Sequence, residues 1–145
     1  MTTDILFVED EPRGVQPYFR ELENHGFLCS LAESGDQAIR KLRYRKFDAI
    51  SMDIMFAPGS AMGAKVDKTE SGLRLLEMIR SHKIRNCPAD LPVIVLTAVT
   101  NIDVENAIKA LGVFAYLKKP IDYQDVIETF MQLKESAIKV KSDAK

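Results

Sequence analysis

Short, uninterrupted apolar runs alternate along this chain with longer stretches in which apolar residues recur every three or four positions. The runs at 5–8, 27–32, 49–52, 92–96 and 114–117 read as buried strands. Between and after them, five apolar stripes have helical spacing: Val15, Tyr18, Phe19 and Leu22; Ala38, Ile39 and Leu42; Leu73, Leu76 and Ile79; Val104, Ala107, Ile108 and Leu111; Val126, Ile127, Phe130 and Leu133. Local signals punctuate them. Pro12 suits the first turn of a helix, Gly26 and Gly112 suit helix ends, and Ser34 suits an N-cap.

Strands that are apolar throughout, rather than alternating, are covered on both faces, and strand–helix alternation makes a parallel sheet. Five such units predict a doubly wound α/β fold with five strands and five helices. One domain is expected over residues 1–134, followed by a polar, basic tail at 135–145 that is expected to fray. The one break in the alternation is an irregular stretch at 55–71, rich in Gly, Ala and Ser.

Composition narrows the function classes. Of the 145 residues 46% are hydrophobic, enough for a full core, and 20 basic against 21 acidic side chains leave a net charge of −1. That balance argues against binding nucleic acid through bulk positive charge and against a polybasic membrane anchor. No apolar run reaches the length of a membrane span, and residues 1–4 do not resemble a secretory signal. Cys29 and Cys87 lack metal-type spacing and read as free thiols of a reducing, cytoplasmic compartment, with a single disulfide as the alternative. His25, before a turn glycine, and His82, near a helix end, read as solvated side chains.

Ligands of open α/β sheets bind beyond the carboxyl ends of the strands. The residues there are Glu9 and Asp10 after the first strand, Asp53 after the third, Thr97 at the fourth and Lys119 after the fifth. Alone, each has a plain reading as a helix-end carboxylate, a turn residue, a cap or a solvated charge. Together they form a pattern. Three carboxylates at one mouth repel unless a cation compensates, and their hard oxygens suit Mg²⁺. A carboxylate nucleophile, a divalent metal, a lysine and a hydroxyl are the parts needed to move a phosphoryl group onto an aspartate.

Four segments carry a resemblance: Ile-Leu-Phe-Val-Glu-Asp-Glu-Pro at 5–12, Phe-Asp-Ala-Ile-Ser-Met-Asp-Ile-Met at 47–55, Pro-Val-Ile-Val-Leu-Thr-Ala at 92–98 and Ala-Tyr-Leu-Lys-Lys-Pro at 115–120. With them the chain resembles, from about residue 4 to about 134, the receiver domain of two-component response regulators, of the stand-alone chemotaxis-like type. The resemblance implies the flavodoxin-like strand order 2-1-3-4-5. It implies that Asp53 is the phosphoacceptor, that Asp10 and Asp53 hold Mg²⁺, and that Glu9 acts mainly through a bound water. The Met55 backbone carbonyl would be a further metal ligand. Thr97 would be the switch hydroxyl, Tyr116 the switch aromatic and Lys119 the phosphate-binding lysine, with a cis bond at Lys119–Pro120. Lys118 occupies a variable position. The implied partners are a histidine kinase or phosphotransfer protein and a downstream protein, without direct nucleic-acid binding. As a phosphoacceptor module it would assist its own phosphorylation and dephosphorylation without being an enzyme.

Two departures stand out. Pro58 lies five residues after Asp53, where the family has proline at four, and the matching Gly-Leu comes only at Gly72 and Leu73. An inserted loop at about 57–71 follows, either a tolerated surface insertion or a lid or partner contact. The chain's end leaves no room for an output domain, so output by protein contact is expected. In the family, the side chains two positions after the phosphoacceptor and two after the switch threonine border the approach of hydrolytic water. Here both are apolar, Met55 and Val99, so a long-lived phosphoprotein is expected. Two other classes fit less well: a phosphorylation-independent pseudo-receiver, disfavoured by the complete residue set, and a flavin protein, disfavoured by the acidic loop at 9–11.

Overall fold

The computed structural model describes residues 2–63 and 66–143, and of 139–143 the helical backbone alone. Five parallel strands, β1 (Thr3–Val8), β2 (Phe27–Ala32), β3 (Ala49–Met52), β4 (Val93–Thr97) and β5 (Ala115–Lys118), form one sheet in the order β2-β1-β3-β4-β5. The helices are α1 (Gln16–Asn24), α2 (Gly35–Tyr44), α3 (Ser71–Arg80), α4 (Ile102–Leu111) and α5 (Tyr123–Asp143).

Alternate residues of each strand feed opposite layers. Leu6, Val8, Ile50, Met52, Val93 and Val95 pack under α2, α3 and α4. Ile5, Phe7, Ala49, Ile94 and Leu96 pack under α1 and α5, where Phe7 meets the rings of Phe19 and Phe130 at 4.8 and 5.4 Å. Each large side chain so buried contributes roughly 1.5–3 kcal/mol. The doubly wound reading therefore holds in both topology and layering.

Three details differ from the expectation. The first helix does not run from Pro12. A 3-10 turn at Pro12–Gly14 breaks at Val15 (φ −124°) before α1 begins. Pro17, in the first turn of α1, has no N–H to bond back, so an unbroken helix from Pro12 would lose a rung there. The last strand is shifted by one residue, and Phe114, expected inside it, is 40% exposed. The helix α5 runs to Asp143, past the expected domain end at 134. The last two residues of the expected tail, 144 and 145, and residues 64 and 65 of the irregular stretch lie outside the described residues.

The stretch after β3 is tied down at both ends. Gly35 donates its N–H to the Ala57 carbonyl at 2.8 Å, and the Asp36 carboxylate accepts from the Ser60 and Ala61 amides at 3.0 and 2.6 Å. Phe56 and Met62 are buried in the core. At the other end the fully buried Ser71 accepts from the Phe56 amide at 2.9 Å. Its hydroxyl is within reach of the carbonyls of Phe56 (2.7 Å), Lys68 (2.9 Å) and Ile54 (3.2 Å).

Candidate functional site

Sheet register sets the site. Val8 pairs with Met52 and Met52 with Val95, so the residues just beyond β1, β3 and β4 emerge side by side. Ladder bonds continue past the strand ends. Glu9 donates to the Ala32 carbonyl (2.9 Å), Asp53 to that of Val8 (3.1 Å) and Lys119 to that of Thr97 (2.8 Å). Glu9, Asp53, Thr97 and Lys119 are thus fixed at one mouth by backbone pairing, with Asp10 next to Glu9, before any side-chain contact is counted.

At its centre is the Asp53 carboxylate. Its Oδ1 accepts from the Ile54 amide at 2.6 Å, from the Thr97 hydroxyl at 2.8 Å and from the Met55 amide at 3.4 Å. Its Oδ2 faces the Lys119 ammonium at 3.6 Å. Thr97 is fully buried, and its oxygen also accepts the Val99 N–H at 3.1 Å. Lys119 stands 4.0 Å from Glu9 as well, and its bond to Pro120 is cis.

Glu9 is 5% exposed, and its carboxyl is pushed up to about 7. Burial is the main cause, the neighbouring Asp53 charge adds to it, and Lys119 works against it. As the side chains stand, no three His, Cys, Asp or Glu among the described residues converge on one metal position. The donor chemistry nonetheless fits a hard divalent cation: Glu9 and Asp53 repel each other, and the Met55 carbonyl belongs to the same loop. Asp10 instead pairs with Lys68 at 3.2 Å, a residue from the irregular stretch.

Beside Asp53 opens a cleft of about 430 Å³, walled by Met55, Thr69 and Glu70 on one side and by Val99, Thr100 and Asn101 on the other. Tyr116 lies in β5 opposite Val95, packed partly against the core. Among the described residues its hydroxyl is the one buried side-chain polar atom without a hydrogen-bond partner. The resemblance implies that Thr97 and Tyr116 form the switch pair. In this structure Thr97 already bonds Asp53, and the Tyr116 hydroxyl is already buried. Burial foremost, with the Glu105 and Asp53 charges, raises the phenol's proton affinity.

Sequence reasoning missed Lys68 and Glu105. Glu105 on α4 receives Lys109 and Lys118, both at 2.8 Å, and these bonds, Lys109 first, hold its carboxyl below the ordinary range. Lys109 also sits over the Tyr116 ring at 5.3 Å. Only the Glu105–Lys109 spacing of four was visible beforehand. Both cysteines are free, their thiols raised by burial to about 12 at Cys29 and about 11 at Cys87.

Residues 5–131 match the response regulator receiver domain. The chain belongs to that family. Among curated relatives, this receiver is 31% identical over 129 residues to the acid tolerance regulatory protein ActR of Rhizobium meliloti, covering 88% of this chain and 58% of that protein. It is 32% identical over 128 residues to the transcriptional regulatory protein ZraR of Escherichia coli O157:H7, covering 87% of this chain and 25% of that protein. The receiver thus spans between a quarter and about six tenths of these two relatives. A crystal structure of a response regulator protein from Burkholderia pseudomallei, with a phosphorylated aspartic acid, calcium ion and citrate, has the same fold. Its TM-score is 0.64 at 20% identity, over 98% of this chain and 72% of that one.

Proposed function

We propose that this receiver takes a phosphoryl group onto Asp53 from a histidine kinase or phosphotransfer protein and passes the signal on by protein contact. The observation that carries the reading is the position of the Asp53 carboxylate, flanked by the Thr97 hydroxyl at 2.8 Å and the Lys119 ammonium at 3.6 Å. Three donors already load Oδ1, so Oδ2, facing Lys119, is the nucleophile. Its lone pair forms the new O–P bond as the donor's N–P bond breaks, and that bond's electron pair stays on the imidazole nitrogen.

Lys119 is placed to pair with the incoming phosphoryl oxygens, and Thr97 to turn its O–H from Asp53 toward one of them. Glu9, Asp10, Asp53 and the Met55 carbonyl are the groups that would hold Mg²⁺. Bound there, the ion supplies neutralisation of the phosphoryl charge. A metal ion and a phosphorylated aspartic acid in the Burkholderia pseudomallei protein support this assignment.

Redistribution of charge at Asp53 would reach the surface through Thr97 and Tyr116 to the Glu105, Lys109 and Lys118 cluster, the face from which a downstream protein would read the state. The module is a switch that assists its own modification rather than an enzyme. Its balanced charge and free thiols suit a cytoplasmic role with protein partners.

Incubation with Mg²⁺ and a small acyl-phosphate donor, followed by intact-mass spectrometry, tests the reading. One phosphoryl adduct on the parent and none on Asp53→Asn is the expected result. An unlabelled parent, or a labelled Asp53→Asn, overturns it.

A further inference from the structure

Lys68 comes from the stretch where this chain departs from its family, yet its ammonium lies 3.2 Å from an Asp10 carboxylate oxygen. The contact joins residues far apart in sequence, so local chain geometry does not enforce it. The backbone does. Asp67 accepts the Thr69 amide at 3.0 Å and starts a 3-10 turn at Lys68–Glu70. The Lys68 carbonyl lies 2.9 Å from the buried Ser71 hydroxyl, which also anchors the chain just after Asp53. Lys68 is therefore presented to the acidic mouth from a fixed turn. Its side chain is 57% exposed and that of Asp10 21%, so the pair is accessible to exchange with ions from solution.

We propose that Lys68 is a built-in counter-cation of the acidic pocket, which competes with Mg²⁺ for Asp10 and so raises the metal concentration at which the site fills. The inference rests on the reading of Glu9, Asp10 and Asp53 as the metal site. With the pocket empty of metal, the ammonium offsets one of three crowded carboxylates. When metal binds, Asp10 must give up this pair, and the exchange weakens the apparent affinity. Lys119 does not compete in the same way, because its ammonium faces Asp53 and Glu9.

Exposed ion pairs are weak, so removing Lys68 should tighten Mg²⁺ binding by about two- to fivefold. Isothermal titration of the full chain with MgCl₂ alone measures this for the parent, Lys68→Ala and Lys68→Arg. Lys68→Ala should bind more tightly at low salt, and Lys68→Arg should return to the parent value. The gap should narrow in about 1 M monovalent salt, where screening reaches about 3 Å. Equal or weaker binding by Lys68→Ala overturns the proposal while leaving the metal site intact. A parent that takes up no Mg²⁺ overturns the metal site and the proposal with it.

Discussion

Gly72 stands against the backbone of Asp53: a Cβ on this glycine would lie 2.6 Å from the Asp53 carbonyl oxygen and 2.6 Å from the Ile54 Cα. The Gly72 amide donates to the Ile54 carbonyl at 2.7 Å, so the start of α3 is seated directly on the loop that carries the Asp53 carboxylate. Backbone meets backbone here, and neither side has a flexible end to move away. Gly72→Ala is expected to cost about 2 kcal/mol through overpacking and to slow labelling of Asp53 several-fold. Urea unfolding reads the first effect, and the rate of phosphoryl mass gain reads the second. Parent-like stability together with parent-like labelling would show that the contact is not tight.

Glu9 sets a pH dependence. The unfolded chain loses the Glu9 proton near 4.5, whereas the folded, metal-free chain holds it to about 7. Between those values the unfolded state has already ionised and the folded state has not, so rising pH costs folding stability. A glutamine has no proton to lose. Glu9→Gln should therefore match the parent near pH 4.5 and exceed it by about 2–3 kcal/mol above pH 8, measured in EDTA. Saturating Mg²⁺ should shrink the gap, because a bound cation stabilises the carboxylate. A stability difference independent of pH would contradict the raised Glu9 carboxyl.

Tyr116 offers a test in the opposite direction from most substitutions. Among the described residues its buried hydroxyl has no partner, and an unsatisfied buried hydroxyl costs about 1–3 kcal/mol. Tyr116→Phe keeps the ring under Lys109 and removes only that oxygen, so the variant should be more stable than the parent by about 1 kcal/mol. Thermal unfolding of the two proteins decides it, with a lower midpoint for Tyr116→Phe as the contrary result.

How much of this was legible in the sequence follows from how local each cause is. The apolar runs and stripes reveal β2, β3 and the layering because burial period is written residue by residue. The mouth could be named because strand ends of a parallel sheet share one edge. Contacts that depend on where an irregular segment returns were not legible. Lys68 against Asp10 and Ser71 beneath Phe56 join positions with no periodicity between them. The start of α1 failed for a different reason: Pro12 and Pro17 both suit a first turn, and only one of them opens the α-helix.

On the proposed function, the lifetime of the phosphorylated state depends on how water reaches the phosphorus opposite Asp53. Met55 and Val99 line the two sides of the cleft beside that carboxylate. The Met55 side chain is apolar and partly exposed, and the Val99 amide is spent on Thr97, so neither side chain offers a hydrogen bond to orient a water there. Positioning the attacking water is a large share of what a protein contributes to phosphoryl-group hydrolysis. Replacing both by polar groups, Met55→Asn with Val99→Glu, supplies an acceptor and a donor across the cleft. The double variant is expected to lose its phosphoryl group at least about threefold faster than the parent, with labelling of Asp53 retained. Intact-mass spectra taken after the donor is removed follow the decay. A double variant that decays no faster than the parent would mean that water is already admitted and aligned by other groups, and that the apolar pair does not set the lifetime.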